Sequence, residues 1–324
     1  MKFSNIATIS IPLALLAAQD IASAAEYPTK PIRMLVGFAP GGGTDTTART
    51  IAQPLSEALG QQVIVDNRAG AAGNIAADIA SKSPPDGYTI LMGTIAALAI
   101  NPSLYKSLPF DPIKDFEPVT LAVSSTNVLS VHPTVAAKNV RELVALAKSQ
   151  PGKMTYGSSG VGGAGHLAGV LFDQLAGTTM VHVPYKGGAP AMIALISGEV
   201  QLVFATAETA VPQIKSGKIR ALGVTMAKRT ALLPDLPTIA ESGLPGYEAN
   251  NWYGILLPAK TPRAIVERLH RETVKVLTTP AIKELLFRQG LDASPSTPQE
   301  FAAYIKSEIA KWAKVVKASG AKAE

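Results

Sequence analysis

The β-rich run Ile32-Arg33-Met34-Leu35-Val36-Gly37-Phe38 gives way to Ala39-Pro40-Gly41-Gly42-Gly43-Thr44-Asp45. Beyond it, Ala48, Ile51, Ala52, Leu55 and Leu59 fall on one face of a helix over Thr44–Leu59, with Pro54 an expected kink. A strand that turns through three glycines into a helix belongs to an α/β unit, because the crossover helix must pack back on a sheet. The glycines also let bare backbone N–H groups approach a ligand, and the helix that follows directs the positive end of its dipole at the same point. The pattern recurs at Arg68-Ala69-Gly70-Ala71-Ala72-Gly73-Asn74 and at Tyr156-Gly157-Ser158-Ser159-Gly160-Val161-Gly162-Gly163-Ala164-Gly165-His166. One such turn only marks tight chain reversal; three predict helix N-termini that converge on an anion.

The first half of the chain alternates strand and helix. Gln62–Asp66 and Tyr88–Gly93 read as strands and Asn74–Ser83 as a helix, which predicts a parallel α/β unit. A second series follows: helix Val140–Ser149, strand Met154–Tyr156, helix His166–Leu175, strand Val181–Val183, helix Ala189–Ser197, strand Val200–Phe204, helix Thr209–Ser216 and strand Ala221–Thr225. Three further helices are expected at Arg263–Leu277, Ala281–Gln289 and Gln299–Ala318, the last with a core stripe of Phe301, Ile305, Ile309, Trp312 and Val316. Leu121–Val131 and Trp252–Pro258 read as two extended crossings. Residues 26–126 with 253–324 are thus expected to form one lobe and 127–252 the other, each a mixed sheet flanked by helices.

Residues 1–25 read as a signal peptide. Lys2 gives the positive start, Ile6 to Ala18 the apolar stretch, and Ala22-Ser23-Ala24 the small-residue site, so cleavage is expected near Ala24/Ala25 and the product in the periplasm. With no cysteine, the chain has no disulfide, thiolate metal site or cysteine nucleophile. Its net charge of +6 is unchanged by removal of Lys2 and Asp20, yet the basic residues are dispersed, which argues against nucleic-acid binding.

Several chemistries fail on spacing. Gly160-Val161-Gly162-Gly163-Ala164-Gly165 matches a dinucleotide fingerprint, but no carboxylate stands about twenty residues on, at Met180-Val181-His182-Val183-Pro184-Tyr185. Val161 breaks the nucleophile elbow of a serine hydrolase, and His166 is better placed to orient or cap its loop than to act as a base. His132, His166, His182 and His270 make no zinc-binding pair. Of the cations near the loops that could clamp a carboxylate, Arg49, Arg68 and Lys186, Arg49 is expected to pair with Asp45 at i, i+4 and Lys186 to be a solvated loop residue, which leaves backbone dipoles to carry the binding. What survives is binding of a small anion by backbone dipoles, with no cofactor and no metal.

Pro31-Ile32-Arg33, Pro40-Gly41-Gly42-Gly43-Thr44-Asp45, Ala48-Arg49, Pro85-Asp86-Gly87-Tyr88-Thr89, Pro109-Phe110-Asp111-Pro112, Asp115-Phe116-Glu117-Pro118-Val119, Tyr156-Gly157-Ser158-Ser159-Gly160, Val183-Pro184-Tyr185-Lys186-Gly187, Pro234-Asp235-Leu236-Pro237-Thr238 and Glu241-Ser242-Gly243 occur in order. This set resembles the Bug family, the TctC-like extracytoplasmic binding components of tripartite tricarboxylate transporters. The resemblance implies a two-lobed type II periplasmic binding protein, a Venus flytrap that closes on a small carboxylate and delivers it to membrane permease subunits; a monomer is the default expectation for a receptor that docks alone.

Carried over by position, the resemblance places Phe38, Gly41 and Gly42 on one side of the ligand, Thr94 beside them, and Ser159 and Gly160 opposite. Ala205 stands where family members often carry an aspartate, which favours a ligand with an uncharged or aromatic distal part. Ala72 and Ala76 replace glycines common in the second loop, so whether that loop reaches the ligand is left open. Two alternatives remain at this point: a sensing partner of a membrane receptor, and an exported hydrolase built on Ser159 and His166.

Overall fold

A computed structural model describes residues 27–319 and 321–322. The signal-peptide segment lies outside the described residues. Two sheets organise the chain as two lobes. The first comprises β1 (Ile32–Val36), β2 (Val63–Asn67), β3 (Thr89–Thr94), β4 (Phe116–Ser125), β10 (Asn251–Pro258) and β11 (Leu291–Ala293), in the spatial order β11-β4-β10-β3-β1-β2. The second comprises β5 (Asn127–Val131), β6 (Thr155–Ser158), β7 (Val181–Pro184), β8 (Leu202–Thr206) and β9 (Arg220–Val224), in the order β7-β6-β8-β5-β9.

Both sheets are mixed. Met34 of β1 lies between Val65 and Ile90 in a parallel trio, whereas β10 runs antiparallel to both β3 and β4. In the second sheet β6 is parallel to β7 and β8, and β5 is antiparallel to β8 and β9. The helices are α1 (Gly43–Leu59), α2 (Asn74–Ser81), α3 (Asn101–Leu104), α4 (Val140–Ser149), α5 (Ala164–Ala176), α6 (Gly188–Ser197), α7 (Ala207–Lys215), α8 (Arg263–Thr278), α9 (Pro280–Gln289) and α10 (Pro298–Ser319). Helix α1 continues through Pro54 as a single element.

One expectation needs correction. Trp252–Pro258 does not cross between lobes: it lies within β10, whose eight residues are all buried, paired on both edges inside the first sheet. A strand covered on both faces is apolar throughout and carries no alternation to distinguish it from a buried connector. The outward crossing does fall inside Leu121–Val131, where Thr126 alone separates β4 from β5. The return runs alongside it, with the Thr225 N–H donating to Asn127 O at 3.0 Å and the Ala249 N–H to Thr225 O at 2.9 Å. The two passages therefore form one hydrogen-bonded seam between the lobes.

Two apolar clusters fill the first lobe. One packs Ile51, Leu55 and Leu269 of α1 and α8 on Met34, Ile90 and Ile255. The other lies under α10 and continues into the second lobe through Trp252, Tyr247, Phe172 and Phe204. Gly254 makes room for it, since a Cβ there would collide with the Phe301 ring. The α10 stripe of Phe301, Ile305, Trp312 and Val316 is buried in this cluster, with Ile309 packed against it.

Candidate functional site

Four helices begin at the same cleft without a side-chain cap. The N-cap residues are Gly42 for α1, Gly163 for α5, Gly187 for α6 and Thr206 for α7, and none of them accepts a capping bond through its side chain. Away from the cleft Asn139 caps α4 by accepting the Glu142 N–H at 2.9 Å, whereas α8 and α9 start at Pro262 and Thr279 without a side-chain cap. The first N–H groups of a helix have no intrahelical acceptor, and together with the aligned peptide dipoles they place about half a positive charge at each N-terminus. Gly42, Gly43, Thr44, Ala164, Gly165, Gly188 and Thr206, from the starts of all four helices, line one small cavity of about 50 Å³. Asp45 and Glu208 stand in the first turns of α1 and α7, while α5 and α6 have no acidic residue there, and the four N-termini around one cavity form a candidate anion site.

The sheet ends complete its walls. Thr94 closes β3, Val203, Phe204 and Ala205 come from β8, Asn251 and Tyr253 from β10, and Phe38 and Ser159 from the glycine loops. Hydroxyls supply most of the side-chain polarity, with Thr206 Oγ1 and Thr209 Oγ1 3.1 Å apart and Asn251 Nδ2 donating to Tyr253 Oη at 3.0 Å. Phe38 and Ser159 are shared with a wider cavity of about 640 Å³, lined also by Gly70, Ala71, Ala72, Gly160, Tyr185 and Lys186.

The lobes touch around these cavities. The Ala39 N–H donates to Lys186 O at 3.1 Å, and Tyr105 Oη donates to Val161 O at 3.2 Å. Gly187, at φ +142°, permits the first contact, because a Cβ there would stand 3.0 Å from the Ala39 nitrogen.

Of the residues expected at the site, Phe38, Gly42, Thr94, Ser159 and Ala205 line the small cavity, and Gly160 lines the wider one. Gly41 lines neither, and its N–H donates instead to Asp45 Oδ2 at 2.9 Å. Asp45 is a structural hub that also accepts from Asn67 Nδ2 at 2.9 Å and pairs with Arg49 at 3.0 Å, the ion pair read from the i, i+4 spacing. Burial pushes its carboxyl up, but the bonds from Arg49, Gly41 and Asn67 outweigh that and hold it below the usual carboxylate range. Arg68 is likewise occupied, by Asp66 at 3.0 Å, so neither arginine is free to clamp a ligand.

In the second loop Ala71 and Ala72 adopt left-handed backbone, at φ 46° and 50°, and line the wider cavity, while Ala76 is buried in the core. The start of α2 thus stands beside the site, and the starts of α6 and α7 take part, where sequence reasoning names only Ala205, the residue before Thr206, as a site residue. Gly187-Gly188 carried a usable signal, a glycine pair directly before a helix. Thr206 did not, because a threonine N-cap ordinarily caps itself.

The hydrolase arrangement is not formed. His166 Nδ1 accepts the Gly162 N–H at 3.1 Å, as a loop-orienting histidine should, and the serine bonded to a histidine is Ser158, whose Oγ lies 2.6 Å from His182 Nε2. Ser158 is buried and also tied to the Gly160 backbone. The two imidazoles stack at 4.1 Å. Burial pushes His166 down to about 4, and burial together with its neighbour pushes His182 down to about 3, too weak a base to activate a hydroxyl.

Comparison with known proteins agrees with this geometry. The profile of the family described as "Tripartite tricarboxylate transporter family receptor" matches residues 47–321. Protein BugT of Bordetella pertussis is 36% identical over 318 residues, covering 98% of each chain. Among solved structures, R. palustris Rpa4515 with adipate superposes with a TM-score of 0.89 at 39% identity, covering 91% of this chain and 98% of that one. Periplasmic binding protein BugD superposes with a TM-score of 0.89 at 34% identity, covering 92% of this chain and 100% of that one.

Proposed function

Because the chain belongs to the tripartite tricarboxylate transporter receptor family, whose members are binding proteins rather than enzymes, we propose that it is an exported periplasmic receptor that captures a small carboxylate by closing two lobes on it. The observation that carries this reading is the convergence of four uncapped helix N-termini on one cavity. Two of the lining helix starts come from opposite lobes at Gly42 and Gly188, so an anion between them is stabilised in the closed arrangement and not in the open one. The adipate held by Rpa4515 supports a carboxylate as the anion.

In this reading the carboxylate sits against Gly42, Gly43 and Thr44 on one side and Ser159, Gly165 and Gly188 on the other, with Phe38 and Thr94 shaping the entrance. Ala205 leaves an uncharged wall, which suits mono-, di- or aromatic carboxylic acids and disfavours a distal ammonium group. The closed form is then the one delivered to the permease subunits, by a single copy of the chain after cleavage near Ala24/Ala25. Moving the closed fraction from 1% to 99% takes about 5.5 kcal/mol of differential binding, within reach of contacts made by both lobes.

Thermal unfolding of the purified mature chain against mono-, di- and tricarboxylates, aromatic acids and amino acids tests the reading. A carboxylate that binds the folded protein adds about 2.7 kcal/mol at a hundredfold excess over its dissociation constant and raises the midpoint accordingly. A midpoint unmoved by every acid would contradict it.

A further inference from the structure

Glu208, on the first turn of α7, is a carboxyl that the site does not use. It projects into the seam between the lobes. Its Oε2 accepts from Ser125 Oγ at 3.0 Å, and Ser125 is the last residue of the first-lobe strand β4. Its Oε1 makes no close hydrogen bond and faces Gly43 at the start of α1, where a Cβ would lie 2.8 Å from it. The Tyr253 hydroxyl of β10 stands on the same carboxyl. A second-lobe side chain is thus enclosed by three first-lobe elements, β4, α1 and β10.

We infer that Glu208 couples lobe closure to proton uptake: closing the seam removes its carboxyl from water, and the closed form holds it protonated. Opening about the Thr126 and Thr225 passages draws α7 away from Ser125, Gly43 and Tyr253 and rehydrates the group. A carboxylate in such an enclosure, met by hydroxyls but by no cation, is unfavourable, whereas the neutral acid loses little. The titratable group that faces it is Tyr253, itself held neutral by burial first and by the Glu208 charge second. From α7 it meets Thr206, and from β4 and α1 only Ser125 and Gly43; no ion pair reaches it among the described residues. Burial accordingly pushes its pKa up to about 7, against the weaker lowering by its own N–H and the Ser125, Thr206 and Tyr253 hydroxyls.

The sign follows from linkage. The closed form has the higher pKa, so closing binds a proton and acid favours closure; the ratio of closed to open forms rises about tenfold from pH 8 to pH 6. The inference rests on the receptor reading only in taking the two lobes to move about this seam.

Small-angle scattering of the unliganded mature chain between pH 8.5 and 5.5 tests it without any ligand, so its failure is separate from failure of the carboxylate reading. The radius of gyration of the wild type should fall toward acid, the change setting in near neutrality with a midpoint fixed by the closed fraction at high pH. Glu208→Gln, neutral at every pH, should give a flat profile. Ser125→Ala, which removes a donor to the charged form, should move the midpoint to higher pH. In wild-type protein carrying ¹³C-labelled glutamate, one carboxyl resonance should titrate near neutrality, a readout that needs no variant to fold. A radius that is flat in the wild type, a pH response retained in Glu208→Gln, or the absence of any glutamate titrating above pH 6 would each overturn the assignment.

Discussion

The backbone N–H of Ala39 reaches the carbonyl of Lys186 at 3.1 Å, joining the first glycine loop to the turn before α6 across the cleft. The bond exists only because Gly187 has no side chain: a Cβ would meet Ala39 at 3.0 Å, in a backbone region that L residues rarely adopt. Gly187→Ala should therefore weaken carboxylate binding at least tenfold, by combining a lost interlobe bond with about 1–3 kcal/mol of backbone strain at a φ that only glycine adopts readily. Isothermal titration checks this. Gly60→Ala is the control, since Gly60 also has positive φ, at +71°, but nothing within 4 Å of its Cβ position; it should lose stability without selective loss of affinity.

Gly43 faces the other lobe through Thr206 and Glu208, and its backbone is already helical. Alanine there costs nothing in helix propensity but places a methyl group against the Thr206 hydroxyl. Gly43→Ala should leave the unfolding midpoint of the free protein within a few degrees of wild type and reduce affinity roughly ten- to a hundredfold. Paired thermal and titration measurements separate the two effects.

Glu308 holds two indoles at once, accepting from Trp252 Nε1 and from Trp312 Nε1, each at 3.2 Å, in the apolar cluster beneath α10. Glu308→Ala orphans both buried donors and should cost about 2–4 kcal/mol, read as a lower urea midpoint. Glu308→Gln keeps an acceptor and should cost less. Neither should change affinity for a bound carboxylate beyond what loss of folded protein explains.

The stacked histidines predict acid sensitivity. Both have folded pKa values below the unfolded value of 6.5, so the folded state resists the protons that the unfolded chain accepts. Their contribution is fully present above pH 6.5 and is lost as pH falls toward about 4 for His166 and about 3 for His182. Within that window each histidine removes about 1.4 kcal/mol per pH unit. Urea unfolding at a series of pH values should show this slope, and His182→Gln should flatten it.

The glycine loops were legible because a β-rich run, a glycine cluster and a 3.6-residue apolar period stand next to one another at Ile32–Leu59. Helix α4 was legible to the residue, bounded by Asn139 with Glu142 three positions on. The segment Ala96–Ile100 leading into α3 was not, because its five residues are all buried and a uniformly apolar run carries no period. The start of β4 was hidden by Pro118, which reads as a loop signal, and β11 is only three residues long.

At the site, residues on the glycine loops could be named in advance, whereas Asn251 and Tyr253 could not, nor could Glu208 in the seam beside it. Their place at the cleft comes from the return passage and the interlobe seam, contacts between residues far apart in sequence. An isolated Glu on the first turn of a helix ordinarily faces water and favours the dipole. Only the lobe packed over Glu208 gives it another role.

Closure on a carboxylate is most directly tested by small-angle scattering of the mature protein at fixed pH, titrated with the acid that raises its unfolding midpoint most. The radius of gyration should fall as the acid is added and saturate at one equivalent, and Gly43→Ala should require more acid for the same compaction. Binding at one equivalent with no change in the radius would contradict capture by closure.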